Sequence, residues 1–201
     1  MIAAFSSRSL KRFWERGDPS RLPAQFVTKI SMALDALDAA TRPRDIDLPG
    51  FGFHALKGDR RGQYAVTITR NRRITFRWLG EDAIDVGFED YHGRVMMPRP
   101  KNYPRRDPDR CPTHPGAVLR EIVFPELRVS KTAIADAIKM SRYQLYLILG
   151  EKQPVTPDTA VRLAAAVGGS PRMWLNMQGA YDLWHAERRV DVSGIPSLTV
   201  A

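Results

Sequence analysis

Residues 98–115 read PRPKNYPRRDPDRCPTHP, with six prolines and five Lys/Arg. A proline has no N–H to donate, fixes its own φ and pushes the residue before it out of the α region. Neither a helix interior nor an inner strand can cross such a stretch. It is expected to be extended, semi-rigid and exposed to proteases, and the chain on each side must find its own secondary structure. The boundaries that follow are residues 1–95, a Pro/Arg-rich linker at 96–115, residues 116–187 and a loose tail at 188–201.

Ahead of the linker, helical spacing gives way to period two. Met1–Phe5 reads as a short strand. Leu10, Phe13 and Trp14 share one face of a helix from Ser7 to Arg16, which Gly17 stops. Leu22, Phe26, Ile30, Leu34 and Leu37 keep helical spacing to about Ala40. QYAVTIT and RRITFRW then alternate on either side of a turn at Arg70-Asn71, and residues 83–89 alternate again. In the second of these strands Ile74, Phe76 and Trp78 fall on one face and Arg73, Thr75 and Arg77 on the other. The order β-α-α-β-β-β predicts an α+β unit, a small antiparallel sheet with two helices on one face.

Behind the linker the rhythm is helical throughout, so the fold class is α+β followed by an all-α bundle. Helices are expected at Ala117–Phe124, Lys131–Lys139, Arg142–Leu149, Pro157–Val167 and Pro171–Glu187. Ser130, Ser141, Thr156 and Ser170 stand at the N-caps of the last four. The second and third have the spacing of a helix-turn-helix: Ala135 lets them approach, and Ile134, Ile138, Leu145 and Ile148 fill the interface. Lys131, Arg142, Tyr143, Gln144 and Tyr146 are then the candidates to meet DNA. A plain helical bundle would share the pattern. The stripe Trp174, Met177, Tyr181, Trp184 reads as core or dimer packing.

The net charge of +9 is spread over both parts. Residues 1–97 hold 16 Lys/Arg against 12 Asp/Glu, and residues 98–201 hold 15 against 10, so either part could face a polyanion. The single Cys111 excludes an internal disulfide framework. No apolar run approaches the ~18 residues of a membrane helix, and the N-terminus lacks a signal-peptide pattern. The expectation is a cytoplasmic protein with no membrane partner.

One cluster of residues could carry chemistry. His54, Lys57, Arg60, Arg61, Arg73, Arg77, Asp90, Tyr91 and His92 all fall on or beside the strands. The sequence offers no metal-ligand spacing, nucleophile turn or phosphate-binding glycine loop, so neither metal nor cofactor is expected. RNA brings its own nucleophile, the 2′-hydroxyl. A base must take that proton, an acid must protonate the departing 5′-oxygen, and cations must hold the phosphorane charge. Two imidazoles, guanidiniums and a carboxylate suffice, arginine's fork fits phosphate oxygens, and Tyr91 could stack on a base. An ordinary wet sheet face would contain the same residue types, and spacing alone leaves both readings open.

The stretch HALKGDRRGQYAVTITRNRRITFRW followed by EDYH, with RFWERG and LDALDAA in the helices, resembles HigB-type toxins of the RelE/ParE superfamily over about residues 1–92. The resemblance implies a ribosome-dependent mRNA endonuclease. It implies His54, Lys57, Arg73, Asp90, Tyr91 and His92 as the active-site positions, and Arg60, Arg61 and Arg77 beside them are expected to contact the RNA. Residues 113–187, including HPGAVLREIV and SPRMWLNMQGAYDLWHAE, resemble HigA-type antitoxins. This implies an autorepressor that binds operator DNA as a homodimer and restrains the toxin. The competing reading is a transcription factor whose front part is only an interaction domain. His54, Arg73 and His92 occurring together favour the enzyme.

Overall fold

The computed structural model describes residues 1–90 and 103–196, with the main chain alone for Asp90. The expected roles of Tyr91, His92 and the Asp90 side chain lie outside the described residues. So do the junction at residues 95–96, linker residues 96–102 and tail residues 197–201.

Two helices open the chain. Helix α1 (Arg8–Arg16) is capped by Ser7, whose hydroxyl accepts from the Leu10 amide, and Gly17 ends it at φ 61°. Helix α2 (Val27–Ala39) starts later than the apolar spacing suggested. Pro23 precedes a single 3₁₀ turn, Ala24–Phe26, before the α-helix begins. The sheet is antiparallel in the order β1 (His54–Ala55), β2 (Gln63–Thr67), β3 (Arg72–Leu79) and β4 (Asp82–Asp90). The expected first strand is reduced to two parallel bridges, Ile2 to Ala83 and Phe5 to Val86. Strand β1 was not legible, because two residues are too few to show a period. Val66, Ile74, Phe76 and Val86 join Leu10, Ile30, Leu34 and Leu37 in the core.

The second part contains α3 (Pro115–Val118), a π-helical turn at Leu119–Val123, α4 (Phe124–Glu126), α5 (Lys131–Ala137), α6 (Arg142–Leu149), α7 (Pro157–Val167) and α8 (Pro171–Arg189). The regular helix expected at 117–124 is thus interrupted. Pro125 cannot donate to the ladder and its ring crowds the carbonyl four residues back, which the wider turn accommodates. All four expected N-caps form, with Ser130, Ser141, Thr156 and Ser170 each accepting from a backbone amide of the first turn. Helix α8 runs to Arg189, two residues into the expected tail.

The apolar core is continuous through both parts. Asn176 of α8 donates to the Ala39 carbonyl at 2.8 Å. Gly50, at φ 86°, lies so close to the Ile122 carbonyl that a Cβ would overlap it. Gly168, at φ 93°, leaves only 2.8 Å between a Cβ and the Asp47 carbonyl.

The described part of the proline stretch is also packed. The Asp107 amide donates to the Trp14 carbonyl at 2.7 Å, the Trp14 indole donates to the Pro104 carbonyl, and Trp184 of α8 donates to the Pro108 carbonyl at 2.8 Å. The expectation of an exposed spacer is corrected for residues 103–115: they form a strap between the helices of both parts. Its prolines keep it extended, and its backbone groups find partners on either side.

Gly116 of α3 abuts the Ile148 carbonyl of α6, closer than any Cβ tolerates. Gly116→Ala is therefore expected to destabilise the second part by about 1–3 kcal/mol, read as a lowered midpoint in urea unfolding.

Candidate active site and DNA-reading face

Antiparallel register sets the geometry of the first site. His54 pairs with Ala65, Ala65 with Thr75, and Thr75 with Gly87, while Thr67, Arg73 and Glu89 make a second rung. Directly opposed residues point to the same side, and residues two apart along a strand share that side. His54 and Arg73 therefore occupy one face on adjacent rungs, about 10 Å apart across the strands and about 7 Å along them. Gln63 and Arg77 make a third rung on the same face. His54, Lys57 and Arg61 are exposed, and Arg73 and Arg77 are half-buried. The His54 ring sits 3.0 Å from the Gly52 carbonyl.

Arg60 holds both oxygens of Glu89, at 2.8 and 3.0 Å, and donates to Gln63. Thr75 donates to Glu89 at 3.0 Å. This network fixes the short loop after β1, and with it the position of Lys57 and Arg61 beside the face. Glu89 and Gln63 were missed in the sequence. The signal was an acid at a face position otherwise occupied by arginines.

A β-bulge shapes the same face. Thr75 pairs with Gly87 but Arg77 with Ile84, so Phe76 alone faces Asp85 and Val86. Asp85 adopts φ 54° and is 5% exposed. Among the described residues its Oδ2 and the Nε of Arg77 are buried without hydrogen-bond partners. Burial pushes the Asp85 carboxyl above the usual carboxylate range, although the Arg77 guanidinium pulls the other way.

Helices α5 and α6 form the second site. Ile134, Ala135, Ile138, Leu145 and Ile148 are all buried between them and their neighbours. Lys139 turns the chain at φ 50°, an uncommon conformation for a residue with a Cβ, and Arg162 donates to its carbonyl at 2.7 Å. Tyr143 and Tyr146 are 73% and 53% exposed, Arg142 is exposed beside them, and Lys131 lies 5.4 Å from the Tyr146 ring. Gln144 also closes the cap of its own helix. Its carbonyl oxygen accepts from the Ser141 amide and hydroxyl, while Ser141 Oγ accepts from the Gln144 amide.

The two parts of the chain are similar to different known proteins. Residues 3–92 match the model for HigB-like toxins, described as the RelE-like toxin of the type II toxin-antitoxin system HigB. Endoribonuclease HigB of Proteus vulgaris is 40% identical over 92 residues, which is 46% of this chain and 100% of that protein. Antitoxin HigA-1 of Vibrio cholerae is 31% identical over 84 residues, 42% of this chain and 79% of that protein. The chain belongs to the HigB toxin family and continues into a HigA-type antitoxin. The uncharacterized HTH-type transcriptional regulator YddM of Escherichia coli, 38% identical over 84 residues, covers 42% of this chain and 88% of its own length.

Among the described residues, the two halves meet away from His54, Lys57 and Arg73. The HigA half touches the HigB half at α2 and residues 39–50, while the strap covers α1. Asp45 is representative of that contact. Burial would raise its carboxyl, but Arg42, Thr41 and Ser170 of the HigA half hold it below the ordinary value. The Trp174–Trp184 stripe packs within the HigA half and against the strap. Trp174 and Met177 are core, and Tyr181 packs edge-on against His114.

Asp85→Asn should raise the thermal midpoint at neutral pH. A raised carboxyl is a folding cost that is absent below the unfolded-state pKa, sets in as pH rises through the folded one and is complete above it. The gain should vanish near pH 3, about one unit below an ordinary carboxylate. In the HigA half, Gln144→Ala is expected to lower both DNA affinity and stability, the latter by about 1 kcal/mol for the lost cap. Tyr143→Ala should lower affinity alone. Parallel melting and fluorescence-anisotropy titrations separate the two.

Proposed function

We propose that the chain is a ribosome-dependent mRNA endonuclease restrained by its own antitoxin, which also represses transcription by binding operator DNA. The observation that carries this is the placement of His54 and Arg73 on adjacent rungs of one sheet face, with the HigA half packed on the helices and residues 39–50.

In the reading favoured here, His54 and His92 exchange the protons of 2′-hydroxyl attack and 5′-oxygen departure, with Asp90 orienting one of them. Arg73 and Lys57 hold the charge that develops on phosphorus. Tyr91 stacks on a base, and Arg61 and Arg77 contact the RNA backbone. Arg60 acts through Glu89 by fixing the loop, and this structural role stands beside any phosphate contact. No step calls for a metal ion. Because the HigA half lies on the helix side, restraint comes from denying the toxin its fit against the ribosome rather than from filling the catalytic face. Arg142, Tyr143, Gln144, Tyr146 and Lys131 enter the major groove, and a dimer meets half-sites about 10 base pairs apart.

Residues 1–92 expressed alone should inhibit cell-free translation and cleave mRNA on ribosomes, and the full chain should not. His92→Ala should lower cleavage by about 10²–10⁴-fold, and a 2′-deoxy nucleotide at the scissile position should abolish it. Cleavage of the deoxy substrate would rule out the mechanism, and residues 1–92 that circular dichroism shows folded yet that are inert would favour a regulator with a non-catalytic front half.

A further inference from the structure

The densest polar contact between the halves is made by the strap, not by a globular surface. Asp35 is 3% exposed, in the middle of α2, where the pattern of Ala and Leu around it is that of a core helix. Arg110 reaches both of its oxygens, at 2.8 and 3.2 Å, and Arg106 reaches the first at 2.9 Å. Thr113 donates to the second through its amide at 2.9 Å and its hydroxyl at 2.6 Å. Arg110 also donates to Ser31 at 2.7 Å. The two guanidinium carbons lie 4.7 and 4.8 Å from the Trp14 ring, so each cation is paired with acid and covered by an aromatic face.

We propose that this surface of the HigB half, built from Trp14 of α1 and Ser31, Asp35 and Asp38 of α2, the last 3.7 Å from Arg106, is a receptor for an extended segment bearing two arginines four residues apart. The chain fills it with its own residues 103–113, and the restraint of the toxin turns on that occupancy. This rests on the reading of the HigB half as an endonuclease.

Three features support a peptide receptor rather than incidental packing. The acceptor is a buried carboxylate whose remaining partners come almost wholly from the strap. The ligand is extended and proline-fixed, so little conformational freedom is lost when it seats. The arginine forks and the indole impose a geometry that lysine would not reproduce. Because the receptor is filled in cis at high effective concentration, an antitoxin from elsewhere has no vacancy to enter. The HigB half is thereby insulated from other partners.

The test uses the full chain in two arms. In limited trypsinolysis, bonds after Arg106 and Arg110 should be cut about tenfold or more slowly than the bond after Arg189, since cutting follows the open population. Asp35→Asn should remove that protection. If circular dichroism shows this variant unfolded, Thr113→Ala, which leaves the ion pairs, should give intermediate rates. In the second arm, the Arg106→Ala/Arg110→Ala chain should inhibit cell-free translation. A synthetic peptide of residues 103–114 should suppress that inhibition, and the same peptide with both arginines changed to alanine should not. Strap bonds cut as fast as Arg189 in the unaltered chain would overturn the receptor. So would a folded double variant that leaves translation untouched while residues 1–92 inhibit it. If residues 1–92 are folded by circular dichroism and inert, the endonuclease reading falls and trypsin alone decides the receptor.

Discussion

Removing the Asp35 carboxylate from water is unfavourable by several kcal/mol unless its lone pairs are filled, and the neighbouring Ser31 of α2 serves only as a further acceptor for Arg110. Arg106, Arg110 and Thr113 fill them. The burial of α2 is therefore finished only when the strap is seated, and the strap is positioned in turn by Trp14 below it and Trp184 above it. Losing one partner from such a pair costs about 3–5 kcal/mol, a large share of the ~5–15 kcal/mol that holds a typical domain together. The two halves are thus one thermodynamic object although each resembles a different kind of protein.

That arrangement divides the HigB half into two sides that do different things. Its helices and residues 39–50 accept the HigA half through glycines that let main chains touch. Its sheet keeps a polar face on which Arg60, Glu89, Gln63 and Thr75 bind one another. The bulge at Asp85 belongs to this second side. A buried carboxyl at positive φ beside a half-buried arginine is a local cost, of the kind a fold retains near a working surface.

Much of this was legible from periodicity. The helices, the three longer strands and the four serine or threonine caps follow from spacing and cap chemistry, which are local. The resemblance supplied the catalytic candidates, and the register then placed His54 and Arg73 together. What was hidden depended on tertiary partners. The strap looked like a spacer because its arginines find their acid far away in sequence. Yet LDALDA did carry a signal, since acids recurring every three residues on a core helix require cations from elsewhere. Arg60 looked like a phosphate ligand because Glu89 could not be assigned to it without the register. The π turn before Pro125 was hidden by the unbroken apolar helical spacing of 117–124.

Helix α8 reaches the HigB half at one level and the strap at another. Near its start Asn176 holds the end of α2, and near its close Trp184 and Arg188 hold Pro108 of the strap. Its 19 residues make a rod about 28 Å long, so these grips are loaded in sequence rather than together when the rod is pulled. Traction from beyond Arg189 meets the Arg188 and Trp184 bonds first, then the Tyr181–His114 contact, and only then Asn176. A machine that unravels the chain in that direction frees the top of the strap while the HigB core is still intact. Traction from the other direction must break the core before it reaches the strap. The molecule therefore has a mechanical polarity, in which one direction of unfolding dismantles the HigA half before the HigB half and the other destroys the HigB half first.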